Sequence, residues 1–347
     1  MTFPTGSTSK PLSILALLCL VIATCSSSGA PNGNGSGDGG NGAPEPAKNF
    51  KGFNWADRRD NFVNGVLYVS GLSASSTDAE AQTLTTMVIK TWQDVGANTV
   101  RLPINLPTVK SSFWSVYKGV IDKATSMGFK VILCPWTTDH SQKVQNTNDF
   151  WAMWDIVTKD YGNNSRVYFE LMNEVSYSAP SWRSICDDWV SRYVTATTLI
   201  PKGRVIIPGC GKHGERNSNQ MGQFPEFNEC LLAVHLYDPW DLTSTDVTKW
   251  YDLAKSEIEP YGDRTIVTEF GQKMTGGADF MVTPSADSTV DYLAGLSKYM
   301  REHQMGGTYW VGLRDGDSWS LFNRHGTESM TVTNPSGLKR LQYAWGM

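Results

Sequence analysis

From Phe50 onward the chain alternates between two hydrophobic periods. Short apolar runs, rich in β-branched and aromatic side chains, read as buried strands. They cover Phe50–Trp55, Asn98–Leu102, Phe129–Leu133, Arg166–Met172, Arg204–Ile207, Leu231–Tyr237, Arg264–Thr268 and Thr308–Val311. Between them lie amphipathic stretches with helical spacing, over 79–95, 113–127, 149–161, 182–197, 246–259, 287–304 and 336–345. Segment 209–228 has no clear period. Glycines at 96, 128, 162, 203, 262 and 306 fall between a helix and the next strand, where a left-handed residue stops a helix.

Strands alternating with helices of this length imply parallel pairing with right-handed crossovers. Eight such units in about 300 residues predict an α/β fold, a single (β/α)8 TIM barrel. A doubly wound open sheet is the alternative. The barrel is favoured because polar and aromatic residues collect after almost every strand, and in a barrel those positions converge on one mouth.

The first 48 residues follow different rules. Leu12–Ala23 is an apolar stretch of signal-peptide length, too short to span a bilayer comfortably. It ends in Ile22–Ala23–Thr24–Cys25, which resembles a bacterial lipobox; lipidation of Cys25 and ordinary cleavage nearby are both open. The expected organisation is a signal peptide over 1–25, a Gly/Asn/Ser-rich tether over 26–48 and one catalytic domain over 49–347. Export to the cell exterior or surface follows, with membrane contact only through that lipid anchor. Four cysteines remain in the domain, Cys134, Cys186, Cys210 and Cys230, open to three disulfide pairings in an exported protein.

Charged residues make up 18% of the chain and the net charge is −4, so there is no electrostatic footprint for nucleic acid. The five histidines show no metal-ligand spacing, and no metal or cofactor is expected. The 13 tryptophans are more telling, because flat aromatic faces stack on sugar rings.

Two glutamates carry the chemistry. Glu174 closes Val167–Glu174 and Glu269 closes Thr265–Glu269. A charge at the exit of a buried strand is costly unless it faces water or a substrate. Two of them, on different strands, are what hydrolysis of a glycosidic bond by a carboxylate pair requires. The other strand ends supply Asn54 and Trp55, Arg101, Trp136 with Asp139 and His140, Asn173, His235 with Tyr237, and Trp310.

That ordered set resembles glycoside hydrolase family 5, over about residues 50–345. The matching elements are Arg101–Leu102–Pro103, Asn173–Glu174, His235-x-Tyr237, Glu269–Phe270–Gly271 and Trp310. The resemblance implies a retaining mechanism with Glu174 as general acid/base and Glu269 as nucleophile. It implies that Arg101 and Tyr237 hold Glu269, that Asn173 binds the sugar 2-hydroxyl, that His235 supports Glu174, and that Trp310 floors the reacting sugar. Family members often carry a histidine shortly after the third strand; here Trp136 occupies that place. His140 either folds back into the site or stays a loop residue. Trp136, Trp240 and Trp55 are further candidate sugar contacts, as are the polar loop 211–217 and the segment 313–319 with Trp319. The charged run Asp57–Asp60 either caps a subsite or forms a surface salt-bridge cluster.

The expected partner is a polysaccharide or oligosaccharide, bound by a monomer. The family's commonest activity points to an endo-β-1,4-glucanase, with β-mannanase or another family 5 β-glycanase or exo-glycosidase as alternatives. A non-catalytic carbohydrate-binding barrel is the rival of another class, and it has no need of residues that tune both carboxylates.

Overall fold

The structure is a computed structural model that describes residues 45–60, 63–136, 140–211, 216–238, 240 and 242–347. The export segment, Cys25 and most of the tether lie outside the described residues. Among the described residues, no helix is long and apolar enough to cross a membrane.

Eight parallel strands close into a barrel in sequence order. They are β1 (Lys51–Trp55), β2 (Thr99–Ile104), β3 (Lys130–Pro135), β4 (Val167–Glu170), β5 (Val205–Pro208), β6 (Leu231–His235), β7 (Thr265–Phe270) and β8 (Gly307–Leu313). Outside run α1 (Asp78–Asp94), α2 (Leu106–Lys110), α3 (Trp114–Ser126), α4 (Thr147–Tyr161), α5 (Ala179–Tyr193), α6 (Ser218–Gly222), α7 (Val247–Ile258), α8 (Ser288–Glu302) and α9 (Pro335–Ala344). The predicted barrel is therefore the observed one. The patterning did not anticipate the short α2 and α6, or a hairpin of β9 (Phe322–His325) and β10 (Ser329–Val332) after the last barrel strand.

Strand alternation sorts the core into two compartments. Outward residues such as Phe53, Val100, Leu102, Phe169 and Val267 pack against the helices. Inward Ile132, Tyr168, Ile206, Ala233 and Ile266 form a smaller cluster inside the barrel with Phe50 and Ala47. Ala47 is fully buried, and the Tyr168 hydroxyl donates to Glu45 Oε2 at 2.8 Å. Residues 45–50 thus contribute to the inner core.

The glycine stops hold in part. Gly96 and Gly128 adopt left-handed φ values of 90° and 92° just past α1 and α3. Gly162 stays right-handed, at φ −56°. Gly203 and Gly262 sit within short 3₁₀ turns. After α8 the left-handed residue is Gln304. Gly306 is needed for another reason: a Cβ there would lie 2.0 Å from the Ala47 carbonyl oxygen. The more general start signal is an Asn, Asp or Thr N-cap, seen at Thr77, Asn146, Asp246, Asp287 and Asn334.

Candidate active site

The inward face of β2 places Arg101 inside the barrel mouth, 1% exposed. A buried guanidinium is tolerable only when its donors are met. Here they are met in several directions. Nε and Nη2 grip Glu170 Oε2 and Oε1 at 2.6 and 3.0 Å. Nη1 donates to Asn54 Oδ1 at 3.0 Å and to Glu269 Oε1. Nη2 also reaches Asn173 Oδ1 at 2.8 Å and Cys134 Sγ at 3.1 Å. Burial alone lowers the pKa of Arg101; Cys134, Glu170 and Glu269 more than offset this and raise it well above its ordinary value.

Glu269 points into the same space because β7 is irregular. The register of β7 shifts against both β6 and β8 around residues 267–270. An irregularity of this kind re-aims side chains beside an active site. Thr268 donates to Glu170 Oε1 at 3.2 Å while its neighbour Glu269 reaches Arg101, so consecutive residues both serve the mouth. The Tyr237 hydroxyl donates to Glu269 Oε2 at 2.9 Å. Burial, with Glu269 beside it, pushes the Tyr237 phenol well above its usual value, so it remains a neutral donor.

Glu174 sits just beyond β4, with its backbone at φ 45°. A non-glycine residue in that region carries local strain, and such residues cluster at functional sites. Its side chain is 28% exposed, against 7% for that of Glu269. Gln142 Nε2 donates to Glu174 Oε2 at 3.2 Å, and His235 Nδ1 lies 3.3 Å from Oε1. Burial pushes the Glu174 carboxyl up, but His235, Arg101 and Gln142 together hold it below the usual range. His235 Nδ1 is also 3.6 Å from Glu269 Oε2. One atom from each of Glu174, His235 and Glu269 lies within 4.8 Å of the others. That spacing would also suit metal ligands. However, Arg101 and Tyr237 already occupy Glu269 and Gln142 occupies Glu174, so the trio fits proton handling better than metal binding.

Aromatic rings surround these groups. Trp310 and Trp136 face each other with centroids 5.3 Å apart and planes at 36°. Trp240 is 66% exposed and stacks on Trp319, 5.9 Å away at 29°. Tyr237 lies edge-on to Trp240 at 5.6 Å, linking this pair to Glu269.

The structure thus brings together Glu174, Glu269, Arg101, Asn173, His235 and Tyr237, with Trp310 and Trp136 as a second group of neighbours. Trp55 is a correction. It is fully buried, packs edge-on to Trp92 at 6.0 Å and donates to the Ser70 carbonyl at 3.2 Å. Its neighbour Asn54 takes the inward position, and alternation sends Trp55 to the helix layer. His140 is exposed on a turn, while Asp139 lies outside the described residues. In loop 211–217, Arg216 and the Asn217 amide are bound to Glu257 of α7, and Lys212–Glu215 lie outside the described residues. The charged run after β1 is a salt-bridge cluster: Asp57 pairs with Arg59, and buried Asp60 pairs with Arg314 at 2.7 Å. None of the disulfide pairings forms; Cys134, Cys186, Cys210 and Cys230 are buried thiols. Burial pushes the Cys210 and Cys230 thiols up to about 11 and about 12.

Sequence reasoning missed Glu170 and Gln142. Glu170 had a readable signal, an acid in the middle of a buried apolar run, which demands a cationic partner. Gln142 had none.

A barrel whose strand ends present this carboxylate pair, with these tuning residues, is a glycosidase. The family comparison agrees: the model for cellulase, glycosyl hydrolase family 5, matches residues 60–313, and the chain belongs to that family. No curated protein matches. Solved structures share the fold at low identity. The endoglucanase Cel5A from the hyperthermophilic Thermotoga maritima is 15% identical, with a TM-score of 0.61, covering 85% of this chain and 97% of that one. A family 5 lichenase from Caldicellulosiruptor sp. F32, in complex with cellotetraose, is 14% identical with a TM-score of 0.55, covering 86% and 94%. A broad-specificity endoglucanase from Clostridium longisporum is 12% identical with a TM-score of 0.58, covering 87% and 99%.

Proposed function

We propose that the protein is a retaining β-glycanase of the endo-β-1,4-glucanase type, acting by double displacement. The observation that carries this reading is the difference in how the two carboxylates are held. Glu269 is gripped by donors from Arg101 and Tyr237, which fix its carboxyl group in place as the nucleophile. Glu174 is more exposed and bonded by His235 and Gln142, as suits a group that gives and takes a proton. Oxygen atoms of the two within 4.8 Å match the close spacing of retaining enzymes, about 5–5.5 Å between carboxyls, rather than the about 6.5–9.5 Å that admits a water in inverting ones.

In the first step Glu269 attacks the anomeric carbon while Glu174 protonates the leaving oxygen, giving a glycosyl ester on Glu269. In the second, Glu174 takes a proton from water as that water attacks the ester and frees Glu269. Asn173 is held by Arg101 for the sugar 2-hydroxyl, and Trp310 with Trp136 forms the ring-stacking surface. The β-1,4-glucan assignment draws on similar folds described as endoglucanases and on the lichenase bound to cellotetraose. Export, with a tether and a lipid anchor at Cys25 or simple cleavage nearby, completes the reading.

The test is product analysis on carboxymethyl-cellulose, β-glucan, mannan, xylan, galactan and aryl glycosides, with Glu269→Gln alongside. Cleavage of a β-1,4-glucan that falls on the order of 10⁴-fold or more in the variant is expected. A folded protein inert on every polymer would sink the hydrolase assignment.

A further inference from the structure

Trp310 is the one residue of β8 that is not buried, so its indole reaches the mouth while its neighbours pack away. A stacking surface works only if its plane is fixed, and an indole can turn about its side-chain bonds. Trp136 is one neighbour of the ring. Arg314, four residues further along the chain, is the other: its guanidinium carbon lies over the ring, 5.7 Å from the centroid. That is within the reach of a cation–π attraction.

The guanidinium is itself locked. Nη2 donates to Asp60 Oδ1 at 2.7 Å and Nε to Asp60 Oδ2 at 3.1 Å, a two-point grip. Nη1 donates to Asp317 Oδ2, and Nε also faces the Asp57 carbonyl at 3.4 Å. Asp60 is 1% exposed, and its Oδ2 accepts from the Asp57 amide at 3.1 Å. The connection after β1 thus reaches across the barrel's closure and fixes a cation against the ring of β8. A buried ion pair adds little net stability over apolar packing, so stability is a weak reason for Asp60 and Arg314. Geometry is a better one, because a planar fork held at two points cannot rotate.

We propose that Arg314, locked by Asp60, is a positioning residue for Trp310, holding the indole plane at the angle on which the reacting sugar stacks. This role rests on the glycanase reading above and deepens it. It also gives the salt-bridge cluster after β1 a part in catalysis without any contact to substrate.

The test is a double-mutant cycle between Arg314→Met and Trp310→Ala, read in two ways. Methionine keeps much of the apolar length of arginine and loses the charge and the fork. The first readout is turnover of whichever polymer the wild type cleaves. Arg314→Met should lower kcat by about tenfold or more with KM within about threefold, since a misplaced surface costs rate before affinity. In the Trp310→Ala background the same change should cost less than about twofold. The second readout needs no substrate: the near-ultraviolet circular dichroism difference between the wild type and Trp310→Ala isolates the Trp310 signal, and the same difference taken on Arg314→Met should be largely lost. If Arg314→Met fails to fold because Asp60 is left buried and unpaired, Asp60→Asn/Arg314→Met takes its place in both arms. Rate losses that are equal with and without Trp310, or a Trp310 signal that Arg314→Met leaves intact, overturn the role and make Arg314 a brace between two loops. A wild type that cleaves no polymer removes the glycanase reading, and the dichroism alone then decides whether Arg314 sets the ring.

Discussion

The two depths of the barrel interior are built on the same strands by opposite rules. In the inner cluster, Tyr168, Ala233 and Ile266 pack with Phe50 and Ala47. Two residues further along the same strands the inward positions become Glu170, His235 and Thr268, with Glu269 re-aimed beside them. Every apolar residue of the inner cluster favours folding through burial. Every charged residue at the mouth opposes it unless another charge or donor answers it. The strands thus spend the stability of one region on holding carboxylates in the other. Changes in the apolar cluster should alter stability and spare the rate; changes at the mouth should do the reverse. Each prediction below is a way of breaking that division.

After the loss of Glu269 itself, the largest effect is expected at Glu174. Glu174→Ala removes the proton donor and should slow polysaccharide cleavage by roughly 10²–10⁴-fold. The first step on aryl glycosides with good leaving groups should be spared, since they need no proton. Azide should restore turnover by attacking the glycosyl ester. The melting temperature should hold, because the residue is part-exposed and its backbone is strained. Equal loss on both substrate types, without azide rescue, removes Glu174 from the acid/base role.

Glu170 tests the boundary itself, since it is at the mouth yet fully buried. Glu170→Ala leaves Arg101 without its bidentate partner, and breaking such a buried pair costs about 3–5 kcal/mol. The variant should therefore lose stability in chemical denaturation and also activity, because Arg101 is no longer oriented toward Glu269. Retained stability would show that Arg101 is held well enough by Asn54, Asn173 and Glu269 alone.

This boundary explains what the sequence disclosed. Eight strands were legible because each combines apolar runs with helical segments between them, and Glu174 and Glu269 were legible because a charge after such a run needs a reason. Trp55 was misplaced because a run says that a residue is buried but not on which side of the sheet; the Asn54 bonds to the Thr268 and Thr308 carbonyls settle that. Glu170 was passed over for a related reason, as its partner lies 69 residues away. Gln142 reaches Glu174 from a loop without any period, and only the folded chain brings them together.

His235 sharpens the contrast between the carboxylates through pH. Burial raises the Glu174 pKa, and His235 is the largest of the influences that bring it below the ordinary value. Cleavage needs Glu174 protonated, so activity should fall as pH rises through that lowered pKa, placing the basic limb of the rate profile on the acid side. His235→Asn removes the imidazole's pull, and the basic limb should move to higher pH. The sign for stability is the opposite of that for rate. A depressed carboxyl pKa stabilises the fold above the unfolded value, and that contribution is lost as pH falls through the folded one. A basic limb that stays in place in His235→Asn, or moves toward acid, removes His235 as the group that sets the proton on Glu174.

The smallest effects come from two tryptophans that the sequence placed together and the structure separates. Trp55 is fully buried among Trp92 and its neighbours, whereas Trp240 is 66% exposed against Trp319. Trp55→Phe loses the bond to Ser70 and some packing, worth about 1–3 kcal/mol of stability, and should leave KM unchanged. Trp240→Ala should leave stability within about 0.5 kcal/mol and raise KM several-fold on long chains, since a lost stacking contact is worth about 1 kcal/mol. The pair forms a crossed control: each variant should move only the quantity the other leaves alone. A KM effect in Trp55→Phe would mean that the helix layer transmits strain into the mouth through Asn54 and Arg101. An unchanged KM in Trp240→Ala would assign the exposed indole to packing on Trp319, and the sugar-contacting surface would then end at Trp310 and Trp136.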